Sequence, residues 1–533
     1  MTPRSQPNPT KNRAGPRRDP ATAARLRASW PTAGAALAVA LLLVHALWFR
    51  FAIDDAWISF RYARSLLAGH GLVFNPGDPV EGYSNLLWVL LTAAGMAAGL
   101  DPLLWSRIMG FVAVAATALL LPRAVVQLAA GADRGPPEAG RHAPRGLPHR
   151  AEAAVWLAAA CGPLACWSLA GLETPLFGLL IVLAWSAALA RRALAAGIFG
   201  VLLALTRPEG SALGLAFAAW AALSPRAGRR RWIGAVLVVA GTGAHLLWRH
   251  ATYGEWLPNT FFAKTGDVMG QVRTGVPYVA WFLPPYVLPW VILPSLVAPG
   301  WRRRLWRSIE WRRSLAVIGG WIAYTLVIGG DMLGMFRMFA PILPLVIACG
   351  TTALITTPAR PAPGRWAAAL ALLMVASLVP SFVGRERQLV TDHMSLYNLG
   401  GWRLAAEGLA RTLPDGTTIA LSPVGYIAYR TGFVAYDLLG ITDRHIAHRR
   451  MPFAIGYAGH EKHDGAYILS RRPDYLLLGN VDVTDQPRQS PIPPDASEVD
   501  IFENPIFRSR YAPVFIPLPE GKFLNCYRRV DAR

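Results

Sequence analysis

Eleven runs of apolar residues divide the chain, and they constrain its fold more than any other feature. The runs are Ala33–Trp48 and residues 103–122, 153–170, 175–190, 193–206, 210–223, 233–248, 276–299, 314–330, 338–356 and 366–383. A helix needs about 20 residues to cross a bilayer, so the polar ends of the shorter runs are expected to complete their spans. Only 16% of the residues are charged, against about a quarter in soluble domains. The sequence therefore predicts an integral membrane protein in contact with the lipid bilayer.

One further run, Leu86–Leu100, is ambiguous, and the basic residues decide its interpretation. Short loops rich in Lys and Arg stay in the cytoplasm. The basic linkers are residues 123–152, 191–192, 224–232, 301–313 and 357–365. If Leu86–Leu100 lies along the surface, all of them fall inside, with 26 basic and 5 acidic residues there against 9 and 10 outside, counted before Gly384. We predict eleven spans, a cytoplasmic N-terminus and an extracytoplasmic C-terminus.

Three parts follow from this topology. A basic, Pro-rich cytoplasmic tail covers residues 1–32, and a transmembrane domain covers 33–383 with its first outer loop at 51–102. Residues 384–533 are expected to fold as one soluble α/β domain outside the membrane. Strands are predicted at 418–422, 433–436, 475–479 and 523–527, and a helix at 400–412. This last part holds 18 basic and 17 acidic residues. It therefore lacks the excess of positive charge that binds nucleic acid, and no nucleic-acid partner is expected.

Five polar stretches without a basic excess fall outside in this topology. They are Phe51–Asn85, Gly171–Thr174, Arg207–Gly210, His250–Gly275 and Gly329–Arg337. Acidic residues, Asn and aromatic residues gather in them, whereas residues with purely structural roles would be scattered over both faces. A functional site at the outer surface is therefore the natural hypothesis.

Asp54 and Asp55 directly follow the first span. Two adjacent carboxylates repel each other, which raises the pKa of at least one unless a cation or hydrogen-bond donors compensate. One such carboxylate is suited to remove the proton from an attacking hydroxyl. Asp is also a preferred N-cap, so the alternative is that the pair caps a helix over Ala56–Leu67. The two roles are compatible if Asp54 caps the helix and Asp55 faces the site.

The order of a first span, an Asp-Asp pair, an outer loop and many further spans resembles the C-type superfamily of polyprenyl-phosphate-sugar-dependent glycosyltransferases. Within it, the sequence resembles the branch that includes the terminal β-(1→2)-arabinofuranosyltransferases of cell-wall arabinan. The strings that carry this likeness are DDAWISFRYARSLLAGHGLVFNPGDPVEGYSNLLW, SLAGLETPLFGLL, ALTRPEG, YGEWLPNTFFAKT and GGDMLGMFRMFAPILPLV. The strings YDLLGITDRHIAH and GHEKHDGAYILSRRPDYLLLGN extend it, so that it runs from about Phe51 to Asn480.

The resemblance implies an inverting transfer of a sugar from a polyprenyl-phosphate donor to a hydroxyl of a cell-envelope glycan. It makes Asp54 or Asp55 the general base. The leaving lipid phosphate is already a stable anion, so it needs cations or hydrogen-bond donors more than a general acid. The candidate cations are Arg337, Lys264, Arg207, Arg61 and Arg64, and the candidate sugar-binding residues are Glu81, Tyr83, Glu173, Asn259 and Asp331.

Each candidate has a structural alternative. Arg207 is also placed to pair with Glu209. Arg337 is also suited to anchor a helix end among interfacial aromatics. Lys264 is also consistent with an ordinary solvated charge. Arg61 and Arg64 suit the membrane interface, where Arg heads extend toward water. The loop Asn and Glu residues are common in turns and caps.

No cofactor is expected, because no His/Cys/Asp spacing demands a metal. A divalent cation is possible if Asp54, Asp55 and Asp331 converge. A glycolipid transporter or flippase is the first alternative function, but transporters tend to show repeated halves, and the sequence shows no internal repeat. The second is a non-catalytic glycan-binding membrane protein, for which eleven spans exceed what an anchor needs. The expected location is the bacterial cytoplasmic membrane, with the site and the C-terminal domain outside.

Overall fold

The computed structural model describes residues 32–132, 147–223, 230–297, 300–356, 363–398, 401–451 and 460–531. The predicted N-terminal tail lies outside the described residues apart from Thr32. Helices dominate the described part up to residue 398, and a mixed sheet with short helices follows.

The helices of the first part carry the apolar runs. They are α1 (Ala33–Trp48), α2 (Asp54–Leu67), α3 (Leu86–Ala97), α4 (Pro102–Ala132), α5 (Leu147–Ala151), α6 (Ala153–Ala160), α7 (Gly162–Ser168), α8 (Thr174–Leu189), α9 (Ala193–Thr206), α10 (Gly210–Ala222), α11 (Ile233–Tyr253), α12 (Asn259–Lys264), α13 (Val268–Tyr286), α14 (Leu288–Val297), α15 (Trp301–Trp306), α16 (Ile309–Val327), α17 (Leu343–Ile355), α18 (Pro363–Leu378) and α19 (Arg385–Asn398).

Three helical segments are long and apolar enough to cross a membrane, namely Pro102–Gly131, Val268–Val297 and Gly364–Ser395, among the residues that the structure describes. Shorter apolar helices accompany them, such as α1 with 16 residues. The count of eleven spans therefore stays a prediction. The single helix predicted at 153–170 is divided into α6 and α7 in the structure. The break occurs because the backbone of Cys161, between the two helices, is extended. Pro163 in the first turn of α7 has no N–H to continue α6.

Large apolar side chains cover the outside of this helical bundle. Val44, Val236, Leu296 and Leu372 are all exposed. A soluble protein rarely exposes contiguous apolar surface on this scale, so these residues are typical of a lipid-facing surface.

Inside the bundle, glycines let helices approach closely. A Cβ on Gly197 of α9 would lie 2.4 Å from the Cα of Gly234 in α11, and one on Gly200 would lie 3.0 Å from the Cα of Gly214 in α10. Small residues at such crossings are the usual means of packing helices in membranes, where no hydrophobic force drives them together.

The C-terminal part folds as a sheet flanked by short helices. Its helices are α20 (Gly401–Thr412), α21 (Val424–Thr431), α22 (Arg444–Ala447), α23 (Gly465–Ser470), α24 (Val499–Glu503) and α25 (Pro505–Arg510), and its strands are β1 (Thr418–Leu421), β2 (Val434–Asp437), β3 (Tyr475–Leu477), β4 (Val483–Thr484), β5 (Tyr511–Pro517) and β6 (Phe523–Arg529). The sheet order is β2-β1-β3-β6-β4, with β5 also paired to β6. Strand β1 runs parallel to β2 and β3, whereas β6 is antiparallel to its three partners.

Candidate active site

The five polar stretches meet on the side of the bundle that contacts the C-terminal domain. Asp55 lies beside Arg337, and Asn85 donates to Glu173 with its side-chain amide. The backbone N–H of Asn259 donates to the carbonyl of Glu81 at 3.0 Å. Residues far apart in sequence thus form one polar region where the domain docks.

Asp54 and Asp55 both lie in the first turn of α2, but neither is its N-cap. That position belongs to Ile53, which makes no side-chain capping bond. The prediction that the pair caps a helix over Ala56–Leu67 is therefore corrected, because the helix already begins at Asp54. Successive helical residues point about 100° apart, so the two carboxylates face different surroundings.

Asp54 faces the C-terminal domain. Its two carboxylate oxygens accept the backbone N–H groups of Gly425 and Tyr426, each at 2.7 Å. These N–H groups belong to the first turn of α21, so Asp54 satisfies donors that have no partner within that helix. Burial raises the pKa of Asp54 to about 7, although the two N–H donors favour the ionised form.

Asp55 faces the bundle and is partly exposed. Its side chain is 34% exposed, and its Oδ2 lies 3.4 Å from Nη1 of Arg337. Burial raises the pKa of Asp55, but Lys264, Arg337 and His460 outweigh it and hold the pKa below its usual value. Asp55 is therefore ionised at neutral pH, with a cation beside it rather than a tight hydrogen bond.

Arg337 lies between two carboxylates. Its Nε is 2.5 Å from Oδ2 of Asp331, and its side chain is 11% exposed. The guanidinium also lies 5.8 Å from the ring centre of Trp167. The stronger partner is Asp331, so the face toward Asp55 is the one available to a ligand.

The backbone before Arg337 is strained. Met335 and Phe336 have positive φ values of 56° and 47°, a conformation that costs about 1–3 kcal/mol for a residue other than Gly and tends to mark functional sites. The indole N–H of Trp167 donates to the carbonyl of Met335 at 3.0 Å, and that of Trp321 donates to the carbonyl of Met338 at 2.6 Å. These two bonds fix the turn that directs Arg337.

Lys264 ends α12 and is partly buried. Its positive charge helps to lower the pKa of Asp55. Its ammonium group forms no ion pair or hydrogen bond with the residues that the structure describes, so this charge is available to an anion.

Arg207 and Glu173 are already paired. Nη1 of Arg207 is 2.9 Å from Glu173, and its Nε is 2.6 Å from Glu209. Burial lowers the pKa of Arg207, but Glu209 and Glu173 raise it further than burial lowers it. The predicted Arg207–Glu209 pair is present, and both residues from the candidate list are occupied by protein partners.

Arg61 and Arg64 bind the domain rather than an open pocket. Arg61 donates to the carbonyl of Phe433 at 2.7 Å and also to that of Ala428. Arg64 donates to the carbonyl of Tyr429 at 2.7 Å. Arg61 is buried, which corrects the prediction of an Arg head at the membrane interface.

The remaining sugar-binding candidates lie in buried networks. Glu81 pairs with Arg249 at 2.5 Å, and burial raises the pKa of Glu81 to about 7 although Arg249 opposes this. The hydroxyl of Tyr83 lies 3.0 Å from that of Tyr253. The side-chain amide of Asn259 donates to the carbonyls of Gly440 and Ile441. These three residues hold the first loop and α12 in place, and their side chains do not face the accessible part of the site.

Sequence reasoning missed Arg249, Trp167 and His460 as members of this region. Arg249 directly follows the apolar run 233–248, where a basic residue signals topology more often than a buried ion pair. His460 belongs to the string HEKH, which matches no metal-binding order and suggests only a polar loop. No group of three or more His, Cys, Asp or Glu residues is placed to hold a metal ion in the described part of the chain.

An open cleft lies next to this region, between α12 and the C-terminal domain. Its volume is about 730 Å³, which is within the usual range for small-molecule sites. Its walls include Phe262 and Thr265 on one side and His448 and Arg449 on the other. The rings of Phe262 and His448 stack with their centres 4.1 Å apart.

The fold is similar to that of ArnT from Cupriavidus metallidurans, solved bound to undecaprenyl phosphate. The TM-score is 0.50 at 14% sequence identity, and the match covers 75% of this chain and 84% of that chain. At this level of sequence identity the likeness shows that the two chains share a fold.

One curated relative is the terminal β-(1→2)-arabinofuranosyltransferase of Mycobacterium tuberculosis (strain ATCC 25618 / H37Rv). It is 33% identical over 273 residues, which are 48% of this chain and 41% of the relative. The match thus spans about two fifths of the relative's length. Residues 388–525 match a family model described as a domain of unknown function, DUF8728. The resemblance seen in the sequence motifs is confirmed by the arabinofuranosyltransferase and ArnT matches.

Proposed function

We propose that this protein is a membrane glycosyltransferase that moves a sugar from a polyprenyl-phosphate donor to a hydroxyl of a cell-envelope glycan. The observation that carries the proposal is Asp55, a partly exposed and ionised carboxylate between the cations Arg337 and Lys264. The arabinofuranosyltransferase relative and the ArnT-like fold support the same chemistry. Arabinofuranose is the proposed sugar, and the outer face of the bacterial cytoplasmic membrane is the proposed location.

The reaction that this arrangement supports is a direct displacement. The acceptor oxygen forms a bond to the anomeric carbon while the bond from that carbon to the phosphate oxygen breaks. The acceptor proton passes to the carboxylate of Asp55, and the bonding electrons leave with the lipid phosphate. Attack opposite the leaving group inverts the configuration. No metal takes part in this scheme.

Arg337 and Lys264 are assigned to the donor phosphate. Both charges lie near Asp55, so a phosphate between them would place the anomeric carbon within reach of a hydroxyl bound to Asp55. Such cations act at the oxygens where negative charge is held in the transition state. The loose contact of 3.4 Å between Arg337 and Asp55 leaves the guanidinium able to bind a phosphate oxygen. We assign the neighbouring cleft to the acceptor glycan.

The test is transfer by purified Asp55→Asn with a radiolabelled polyprenyl-phosphate sugar. Asn keeps the shape of the side chain but cannot take the proton, and loss of general-base help costs about 10²–10⁴-fold in rate. Donor affinity should be retained, because the phosphate cations are unchanged. Turnover at the wild-type rate in Asp55→Asn would contradict the proposal. Mass spectrometry of lipid that copurifies with the protein would identify the donor.

A further inference from the structure

Helix α21 of the C-terminal domain is bound at both ends by charged residues of α2. At its N-terminal end the carboxylate of Asp54 accepts two backbone N–H groups. At its C-terminal end Arg61 and Arg64 donate to the carbonyls of Ala428 and Tyr429. A helix has a partial positive charge at its N-terminus and a partial negative charge at its C-terminus. The charges of α2 therefore match α21 at both ends.

Aromatic packing fills the space between the two helices. The ring of Trp57 lies 4.8 Å from that of Tyr426 and 5.1 Å from that of Tyr429, centre to centre. The guanidinium of Arg64 lies 4.5 Å over the ring of Tyr429. The docked arrangement thus combines apolar burial with directional bonds.

Close approach also requires a glycine at the start of α21. A Cβ on Gly425 would lie 2.1 Å from the backbone carbonyl oxygen of Asp54. Because a real Cβ cannot come so near, any larger residue would force α21 away from α2. The first turn of α2 is therefore in direct backbone contact with the domain.

We propose that the C-terminal domain, which matches the domain of unknown function, positions the catalytic carboxylate. Asp54 is bound by the domain while its neighbour Asp55 faces Arg337, so docking of α21 sets the position of the turn that carries Asp55. Asp54 is then a positioning residue and not the base. This inference rests on the proposed function, in which Asp55 accepts the proton. A displacement of about 1 Å at a reacting group can cost a hundredfold in rate.

The test compares Asp54→Asn and Gly425→Ala with Ser470→Ala, a control on an exposed hydroxyl of the same domain. An Asn side chain has a single acceptor oxygen, so Asp54→Asn loses one of the two bonds to α21. Each of the first two variants should lower kcat about tenfold to a hundredfold, with donor affinity unchanged. Hydrogen exchange at the amides of Gly425 and Tyr426 should become faster, while Ser470→Ala should behave as wild type.

A purely structural role would lower the amount of folded protein but leave kcat of the folded fraction unchanged. Wild-type kcat in folded Asp54→Asn therefore overturns the inference, whatever its amide protection. If Gly425→Ala gives no folded protein, Arg64→Ala takes its place, because it removes one bond at the other end of α21. Arg64→Ala should lower kcat by a smaller factor, and an unchanged kcat in this variant also overturns the inference. The proposed function fails separately, through wild-type turnover in Asp55→Asn.

Discussion

Replacing Arg337 by Met should destabilise the protein and weaken donor binding, and the structure allows the two effects to be separated. Asp331 is 8% exposed and Arg337 is 11% exposed, so their contact of 2.5 Å is a buried ion pair. Removing one partner of such a pair leaves an uncompensated buried charge, which costs about 3–5 kcal/mol. Asp55 is 34% exposed, and its loosely held charge is screened by solvent, so it adds little to this cost.

The double variant Asp331→Asn/Arg337→Met removes both charges. It should regain most of the lost stability, because replacing both partners of a buried pair is often nearly neutral. It should not regain donor binding, because the phosphate still lacks a cation. Hydrogen bonds to charged groups contribute about 1.5–3 kcal/mol, so donor affinity should stay roughly tenfold to a hundredfold below wild type.

Denaturant titration in detergent measures the stability of the three proteins, and titration of labelled polyprenyl-phosphate sugar measures donor affinity. Wild-type stability in Arg337→Met would show that the pair with Asp331 is not a buried ion pair. Wild-type donor affinity in the double variant would remove Arg337 from the phosphate site and leave Lys264 as the cation to examine.

Three further predictions test the region around the site. Lys264→Met should raise the pKa of Asp55, the proposed base, because a nearby cation that favours its ionised form is lost. The acid limb of the pH profile of kcat/KM should then move to higher pH, and an unchanged profile would contradict this. Glu81→Gln should lower the free energy of unfolding by about 3–5 kcal/mol, because the buried charge of Arg249 loses its carboxylate partner. Donor affinity should be unchanged in the same titration. In a Cys-free background, a cysteine at Ser84 should react with an impermeant thiol reagent added to intact cells, whereas a cysteine at Arg229 should not. The reverse pattern would refute the prediction that the first loop lies outside the membrane.

The local features of the fold could be predicted from the sequence because they depend on local pattern. Four strands of the C-terminal sheet, β1, β2, β3 and β6, lie within two residues of their predicted bounds. Helix α21 was not predicted, because it follows Pro423 and has only eight residues. A periodic pattern of this length does not distinguish a helix from a loop. The break at Cys161 was missed for a similar reason, because an apolar run conceals where its hydrogen bonding is interrupted.

The different roles of Asp54 and Asp55 could not be read from the sequence. The two residues have the same chemistry and the same neighbours along the chain, so every local argument applies equally to both. What separates them is the rotation of about 100° between successive helical residues and a partner about 370 positions away. Burial against α21 gives Asp54 two fixed donors, and that contact leaves Asp55 as the carboxylate that faces the accessible part of the site.

The same dependence on distant partners decides which cations are available to a phosphate. Arg207 has two carboxylate partners, Arg61 is bound to backbone carbonyls, and Arg337 has one tight partner and one loose partner. Of the five candidates, only Lys264 has a side chain that forms no hydrogen bond or ion pair within the described ranges. A charge already matched by protein groups gains little from a ligand, because binding would exchange one partner for another. Lys264 and the loosely paired face of Arg337 are therefore where an incoming phosphate gains the most, and both lie beside Asp55.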